Sequence, residues 1–231
     1  MLRRGRLIVF IGPVGVGKST VIKGLAYVLT AKGLRVRRTC IKAFHGPSYA
    51  IWLVTSRLLG LRSSWLSPWY LVFRSGKIRL ASVLTAISMY MDALLSIPLK
   101  LLWIRVLKAL GVNVLSEEYL HTGILDYIYT IHFMGGWSTE KFKPALRIIH
   151  ALLEKNAPDV IVILNACDNT LLKRWSLRGY GDPQLKYVKL QRLFLTNHVN
   201  NAIIINTDNL NIKDVVNMIV EKIDVNTSHK V

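Results

Sequence analysis

The sequence predicts an α/β fold in three layers, with a five-stranded parallel sheet between helices on both faces. Three observations predict it. Apolar runs of strand length alternate with longer stretches of helical periodicity along the chain. The run Asp159 to Leu164 is apolar without a break from Val160 onward, as a strand buried on both faces must be. The first apolar run enters a glycine-rich turn, Gly12 to Ser19, that opens directly into a helix.

The elements follow in order. Leu7-Ile8-Val9-Phe10-Ile11 is the first strand, and the helix after the turn runs from Thr20 to Ala31, stopped by Lys32-Gly33. Leu34 to Ile41 alternates apolar and polar residues like a strand with one solvated face. The loop Lys42 to Pro47 then sits at a carboxyl strand end, the edge where open parallel sheets bind ligands. Its Lys42, Phe44 and His45 read either as acceptor-gripping residues or as an ordinary basic loop. From Ser48 to Leu110 the chain is apolar, aromatic and basic, which predicts two or three helices interrupted at Gly60, Pro68, Gly76 and Pro98. Trp52, Trp65, Trp69 and Trp103 are expected to fill the packing between those helices. Arg57, Arg62, Arg74, Lys77 and Arg79 are either a solvated face or a patch for phosphates or anionic lipid. Gly111 to Ser116 is a third strand ending in Glu117-Glu118. A helix from Tyr119 to Phe133 breaks at Gly135-Gly136, and Ser138-Thr139-Glu140 opens another that runs to Lys155. After the buried strand, Asp168 or Asn169 caps a helix from Thr170 to Leu177 that carries Lys173, Arg174 and Arg178 toward Gly179-Tyr180-Gly181-Asp182-Pro183. Leu185 to His198 is a helix, Ala202 to Asn206 a strand and Ile212 to Ile223 a final helix.

With 231 residues and no Pro/Gly/Ser-rich linker, the chain reads as one domain, 1–231. Cys40 and Cys167 are far apart and form no C-x-x-C pair, which points away from a disulfide framework or a zinc site and toward a reducing, cytoplasmic setting. Residues 1–6 run straight into the first strand, leaving no room for a signal-peptide apolar region. A formal charge of +18 implies anionic partners: nucleotides, nucleic acid or an acidic lipid surface. The mean hydropathy of +0.34 raises the question of a membrane span. Every apolar run is nevertheless broken by charges such as Arg57, Arg74, Arg79, Asp92, Lys100 and Arg105 before reaching the ~20 apolar residues a span needs.

The turn Gly12-Pro13-Val14-Gly15-Val16-Gly17-Lys18-Ser19, followed by Thr20, matches G-x-x-x-x-G-K-[ST] at every fixed position. Glycines let the backbone curl so that successive N–H groups face phosphate oxygens, and the helix start adds its positive dipole end. Lys18 then reaches the β- and γ-phosphates of ATP, and the Ser19 hydroxyl takes one position on Mg²⁺. An acid at the end of the third strand can order that ion and its waters, and Glu117-Glu118 stands there; a solvated helix start is the competing reading.

With these parts in this order, the chain resembles P-loop nucleotide kinases of the thymidylate kinase type over nearly its whole length. The strand and loop from Val114 to Tyr119 sit where that family has a strand ending in Asp-Arg-Tyr. Ala157 to Leu164, followed by Leu172-Lys173-Arg174 and Arg178-Gly179, is similar to its fourth strand, helix and lid. Ile205-Asn206-Thr207-Asp208 is similar to its adenine-side loop. The resemblance implies a P-loop NTPase fold, ATP and Mg²⁺ as cofactors, and transfer of the γ-phosphoryl group to a nucleoside monophosphate, dTMP first. Lys18, Arg174 and Arg178 are the implied catalytic groups. Ser19 and Glu117 are implied at the metal, and Lys42, His45, Asp92, Glu118 and Tyr119 on the acceptor side. It further implies a helical acceptor-side insertion at about 48–110, a lid at about 174–183 and a homodimer. The chain differs from the family pattern where Glu118 replaces an Arg, where Ala93 follows Asp92, and where the loop after the second strand lacks an acid. A nucleic-acid-associated or membrane-peripheral P-loop ATPase is the alternative that the charge suggests.

Overall fold

The computed structural model describes residues 4–63, 67–178 and 185–228, with side chains described as far as Ile223, so Trp65 and the predicted segment Gly179–Pro183 lie outside the described residues. Along the chain run β1 (Leu7–Ile11), α1 (Lys18–Ala31), β2 (Val36–Cys40), α2 (Pro47–Leu58), α3 (Pro68–Arg74), α4 (Ile78–Met91), α5 (Ile97–Ala109) and β3 (Asn113–Glu117). Then follow α6 (Leu120–Tyr129), α7 (Lys143–Lys155), β4 (Val160–Asn165), α8 (Asp168–Ser176), α9 (Leu185–His198), β5 (Ile203–Asn206) and α10 (Ile212–Ser228). Backbone contacts divide the chain into one unit of Met1–Cys40, Trp103–Tyr119 and Pro158–Val231 and a second of Ile41–Leu102 and Leu120–Ala157.

The first unit holds the sheet, in the order β2-β3-β1-β4-β5 with every pairing parallel. β1 is central and all five of its residues are buried, which an unbroken apolar run allows and an alternating one would not. β2 lies at one edge with Arg37 and Arg38 exposed, charges that discourage pairing with another chain. α1 packs against α10 and β1, joining Val21, Leu25, Val216 and Ile219 to Ile8 and Phe10 in the core. The helices approach closely at Gly24, where a β-carbon would stand 3.1 Å from Val216 Cγ2. Leu25 is fully buried, and truncation to Ala would cost about 2–5 kcal/mol.

The second unit is helical: α2, α3, α4, α6 and α7. Phe44 is its hub, 5.9 Å from Trp52, 5.3 Å from Trp69 and 4.9 Å from Tyr127 between ring centroids. Phe44 has a φ of 55°, a costly conformation for an aromatic residue, and its backbone N–H donates to Asp92 Oδ2 at 2.9 Å. Asp92 also accepts from Ser48 Oγ at 2.7 Å and from the Tyr127 hydroxyl, so one buried carboxylate fixes the loop that seats Phe44.

Three local expectations are corrected. Pro98 does not interrupt the helices, because α4 continues through a π turn, Asp92–Ser96, into α5. Proline lacks an N–H and its ring crowds the carbonyl four residues back; in the wider turn Ile97 N donates to Asp92 O, and the backbone ahead of Pro98 is already relaxed. The cap of α8 is neither Asp168 nor Asn169 but Cys167, whose Sγ accepts from Thr170 N at 3.5 Å. Trp103, expected in the packing, is half-exposed on α5.

Candidate phosphate-binding site

The glycine-rich turn lies between β1 and α1 at the carboxyl edge of the sheet. Gly12 has a φ of 139° and lies against β4, where a β-carbon would stand 2.0 Å from Leu164 O, so only glycine fits. Gly15 has a φ of 90° and lies under the Trp175 ring. Gly17, with a φ of 101°, is the residue before α1, and that helix starts at Lys18, two residues earlier than predicted.

α8 holds the outside of the turn. Trp175 Nε1 donates to Val14 O at 2.9 Å, and Arg174 donates to Val16 O at 3.3 Å. These donors take up outward carbonyls of the turn. Arg174 also donates to Thr207 Oγ1 at 3.0 Å and Thr207 O at 2.8 Å, tying the turn to the segment after β5. Arg178, one turn further along the chain, is exposed. Arg174, Arg178, Gly15, Thr20, Thr207 and Leu210 are among the residues lining a cavity of about 230 Å³ beside the turn. Trp175 and Thr207 were not singled out as site residues from sequence; the only signal was the likeness of Ile205–Asp208 to an adenine-side loop.

Inside the turn, Lys18 is buried and its Nζ donates to Gly12 O at 2.6 Å and Pro13 O at 3.0 Å. It also forms an ion pair with Glu118 Oε1 at 2.9 Å. Glu118 has a φ of 65°; its N–H donates to Phe10 O at 2.9 Å and Ser116 Oγ donates to its carbonyl at 2.8 Å, and together these bonds hold the tight turn after β3. Beside it the Ser19 hydroxyl lies 2.8 Å from both carboxylate oxygens of Glu117, so the paired acids divide between the two residues of the turn.

The donor chemistry fits Mg²⁺, a hard ion bound through one or two protein oxygens, substrate phosphates and water. Among the described residues no group of three or more His, Cys, Asp or Glu side chains could hold a metal by itself. An ion at Ser19 and Glu117 would therefore draw most of its ligands from phosphate and water.

The other predicted residues lie as follows. Tyr119 is fully buried, and burial pushes its phenol above the ordinary tyrosine range. In the second unit Asp92 is 1% exposed, and burial raises its pKa against the hydrogen bonds it accepts. His45 is exposed and Lys42 half-buried. Desolvation and then the nearby Lys100 and Lys42 charges lower the His45 pKa, while Asp92 raises it.

No family model matches the chain, and no curated protein sequence matches it. Among solved structures it is similar to thymidylate kinase from Candida albicans at 19% identity and a TM-score of 0.61, over 98% of this chain and 94% of that one. The five parallel strands, the glycine-rich turn after β1 and the helices around the sheet are thus those of a thymidylate kinase-like P-loop fold.

Proposed function

We propose that this protein is an ATP-dependent kinase that transfers the γ-phosphoryl group of ATP to a nucleoside monophosphate, with dTMP the first acceptor to try. The observation that carries the reading is the convergence of Lys18, Ser19 and Glu117 at the end of β1 and β3. Phosphoryl transfer asks a protein mainly for positioning and positive charge; this arrangement supplies the positioning, and Lys18 supplies the charge once it leaves Glu118.

In this reading the backbone from Gly12 to Thr20 cradles the phosphates of ATP. Lys18 leaves its loop carbonyls for the β- and γ-phosphates. Arg178 approaches from the cavity, while Arg174 holds the loop and the adenine-side segment together. Ser19 and Glu117 are the residues that would hold Mg²⁺, which when bound would supply charge neutralisation for the phosphates. An acceptor phosphate oxygen attacks the γ-phosphorus as the bond to the β–γ bridging oxygen breaks, and ADP leaves. Lys42, His45 and Tyr119 belong to the acceptor side of this scheme, with Asp92 shaping the loop that carries Lys42 and His45. In this reading the chain acts as a single kinase domain, 1–231, with an acceptor-side insertion at about 48–110 and a lid at about 174–183, working in the cytoplasm.

The test follows ADP formation from Mg-ATP with each common nucleoside monophosphate and, separately, with DNA and RNA. Acceptor-dependent ADP formation that falls at least ~100-fold in folded Lys18→Ala is the expected result. ADP formation stimulated by nucleic acid and by no monophosphate would replace this reading with that of an ATPase.

A further inference from the structure

The outer face of the helix from Ile78 to Ala109 is not that of a water-facing helix. Four of the helix's polar side chains point inward: Ser82, Thr85, Ser88 and Asp92 are all buried. Leu84, Met89, Ile97, Leu101 and Ile104 fill the fold from its inner face, yet a second set of large apolar side chains points outward, with Val83, Ile87, Leu94, Leu95, Leu99 and Leu102 between 43 and 63% exposed. The π turn keeps them in register. Ile87 and Leu99 are twelve residues apart, which would leave them about 120° apart around a regular helix; the extra residue of a π turn reduces that to about 20°. One apolar stripe therefore continues across Asp92–Ser96, and a regular helix would have split it.

The surface charge contributed by the stretch from Ser48 to Leu110 has a single sign. Asp92 is the first acidic residue in the sequence and the only one between Ser48 and Leu110, against eight lysines and arginines. Since Asp92 is buried, no carboxylate of that stretch reaches the surface, while Arg74, Lys77 and Arg79 are exposed at the start of the helix. The charge selects the occupant. A second copy would bring its own +18 against this face, whereas an anionic lipid surface offers both an apolar boundary and the opposite charge. The helix spans 32 residues and is apolar enough to cross a bilayer, but half of its most apolar window is buried within the fold, so it suits the surface rather than the interior.

We propose that this face docks the protein on an anionic lipid bilayer. The leucine stripe enters the boundary between headgroups and acyl chains, and Arg74, Lys77 and Arg79 meet lipid phosphates. The proposal uses none of the residues of the phosphate-binding turn and does not depend on the acceptor.

The test is flotation of the full chain with vesicles of phosphatidylcholine alone or with about a third phosphatidylglycerol, at physiological ionic strength. Wild type should float with the anionic vesicles only, with a blue shift of the tryptophan emission that Trp103→Phe diminishes. The double variant Leu99→Gln/Leu102→Gln replaces exposed residues and should keep the circular dichroism spectrum and Tm while its partition coefficient falls about tenfold or more. Lys77→Gln/Arg79→Gln should lose about fivefold per charge. Absence of flotation with anionic vesicles overturns the proposal, as does wild-type partitioning of either variant. A dimer in equilibrium sedimentation that Leu99→Gln/Leu102→Gln dissociates, without vesicle binding, would assign the face to a second copy and overturn it as well.

Discussion

Glu118→Gln separates two roles that a carboxylate beside the phosphate-binding lysine can have. Glu118 lies 2.9 Å from Lys18 Nζ with both side chains almost buried. A phosphate oxygen that meets Nζ from the far side stands about 6 Å from the carboxylate, and two unit charges at that distance repel by about 3 kcal/mol at an effective dielectric near 20. Solvent entering with the nucleotide weakens this to about 1–2 kcal/mol, so removing the charge should tighten Mg-ATP binding about 5- to 30-fold. The same change costs stability. Lys18 keeps Gly12 O and Pro13 O but loses its ionic partner in a buried place, where breaking a pair costs about 3–5 kcal/mol, less here because Gln retains an acceptor oxygen. A loss of about 1–3 kcal/mol in a chain of this length lowers Tm by about 3–10 °C. The assay is thermal unfolding with and without nucleotide, alongside calorimetric titration of Mg-ATP. A lower Tm without ATP, joined to a lower Kd, is the expected pair of results. Weaker ATP binding in a folded Glu118→Gln protein would refute the competition and make Glu118 part of the phosphate machinery.

Glu117→Gln should raise the Mg²⁺ concentration needed for half-maximal activity more than Glu118→Gln does, because Glu117 is the acid that meets the Ser19 hydroxyl; the opposite ranking in a Mg²⁺ titration moves the role to Glu118. Arg174→Ala removes bonds to Val16 and Thr207 and should lower both Tm and ATP affinity, whereas Arg178→Ala, at an exposed position, should lower kcat more than it raises KM for ATP; equal Tm and kinetics in both variants would show plain surface. His121 on α6 has its pKa lowered by burial from 6.5 to about 4, so the unfolded chain binds its proton first and stability falls as pH drops from 6.5 toward 4, by up to about 3 kcal/mol. Asp92, with a raised pKa, acts in the opposite sense as pH rises above the ordinary carboxylate range. His121→Leu should therefore flatten the fall of urea-unfolding stability between pH 6.5 and 4, and an unchanged slope refutes the assignment.

Much of the first unit was legible because its signals are local. β1 needs only an unbroken apolar run, and α1 needs only the glycines before it and Lys32-Gly33 after it. Strand ends shifted by one or two residues where pairing, which is non-local, decides: Gly111 and Val112 read as strand, yet β3 begins at Asn113, opposite Val36 on β2. The helical unit was less legible. Pro98 is a helix breaker in any local reading, and only the π turn before it, itself bracketing the buried Asp92, makes it harmless. Cys167 caps α8 because the chain leaving β4 brings its sulfur over Thr170 N, a geometry that cap statistics favouring Asp and Asn do not anticipate.

At the site, the letters Gly12 to Ser19 fixed which groups gather, but not what each one touches. Glu117 and Glu118 are adjacent in sequence and therefore equivalent to a pattern, yet the positive φ at Glu118 turns the chain so that one carboxylate faces Ser19 and the other Lys18. That division follows from parallel pairing of Phe10 with Glu117, which puts the end of β3 level with the end of β1. An Arg in place of Glu118, as in the family pattern, would stand beside Lys18 as a like charge and leave that lysine to its loop carbonyls alone. Lys18 here begins instead from a neutralised pair. Under the proposed function, ATP would have to displace a carboxylate before it gained the cation, and the cost of that exchange is the quantity that Glu118→Gln measures.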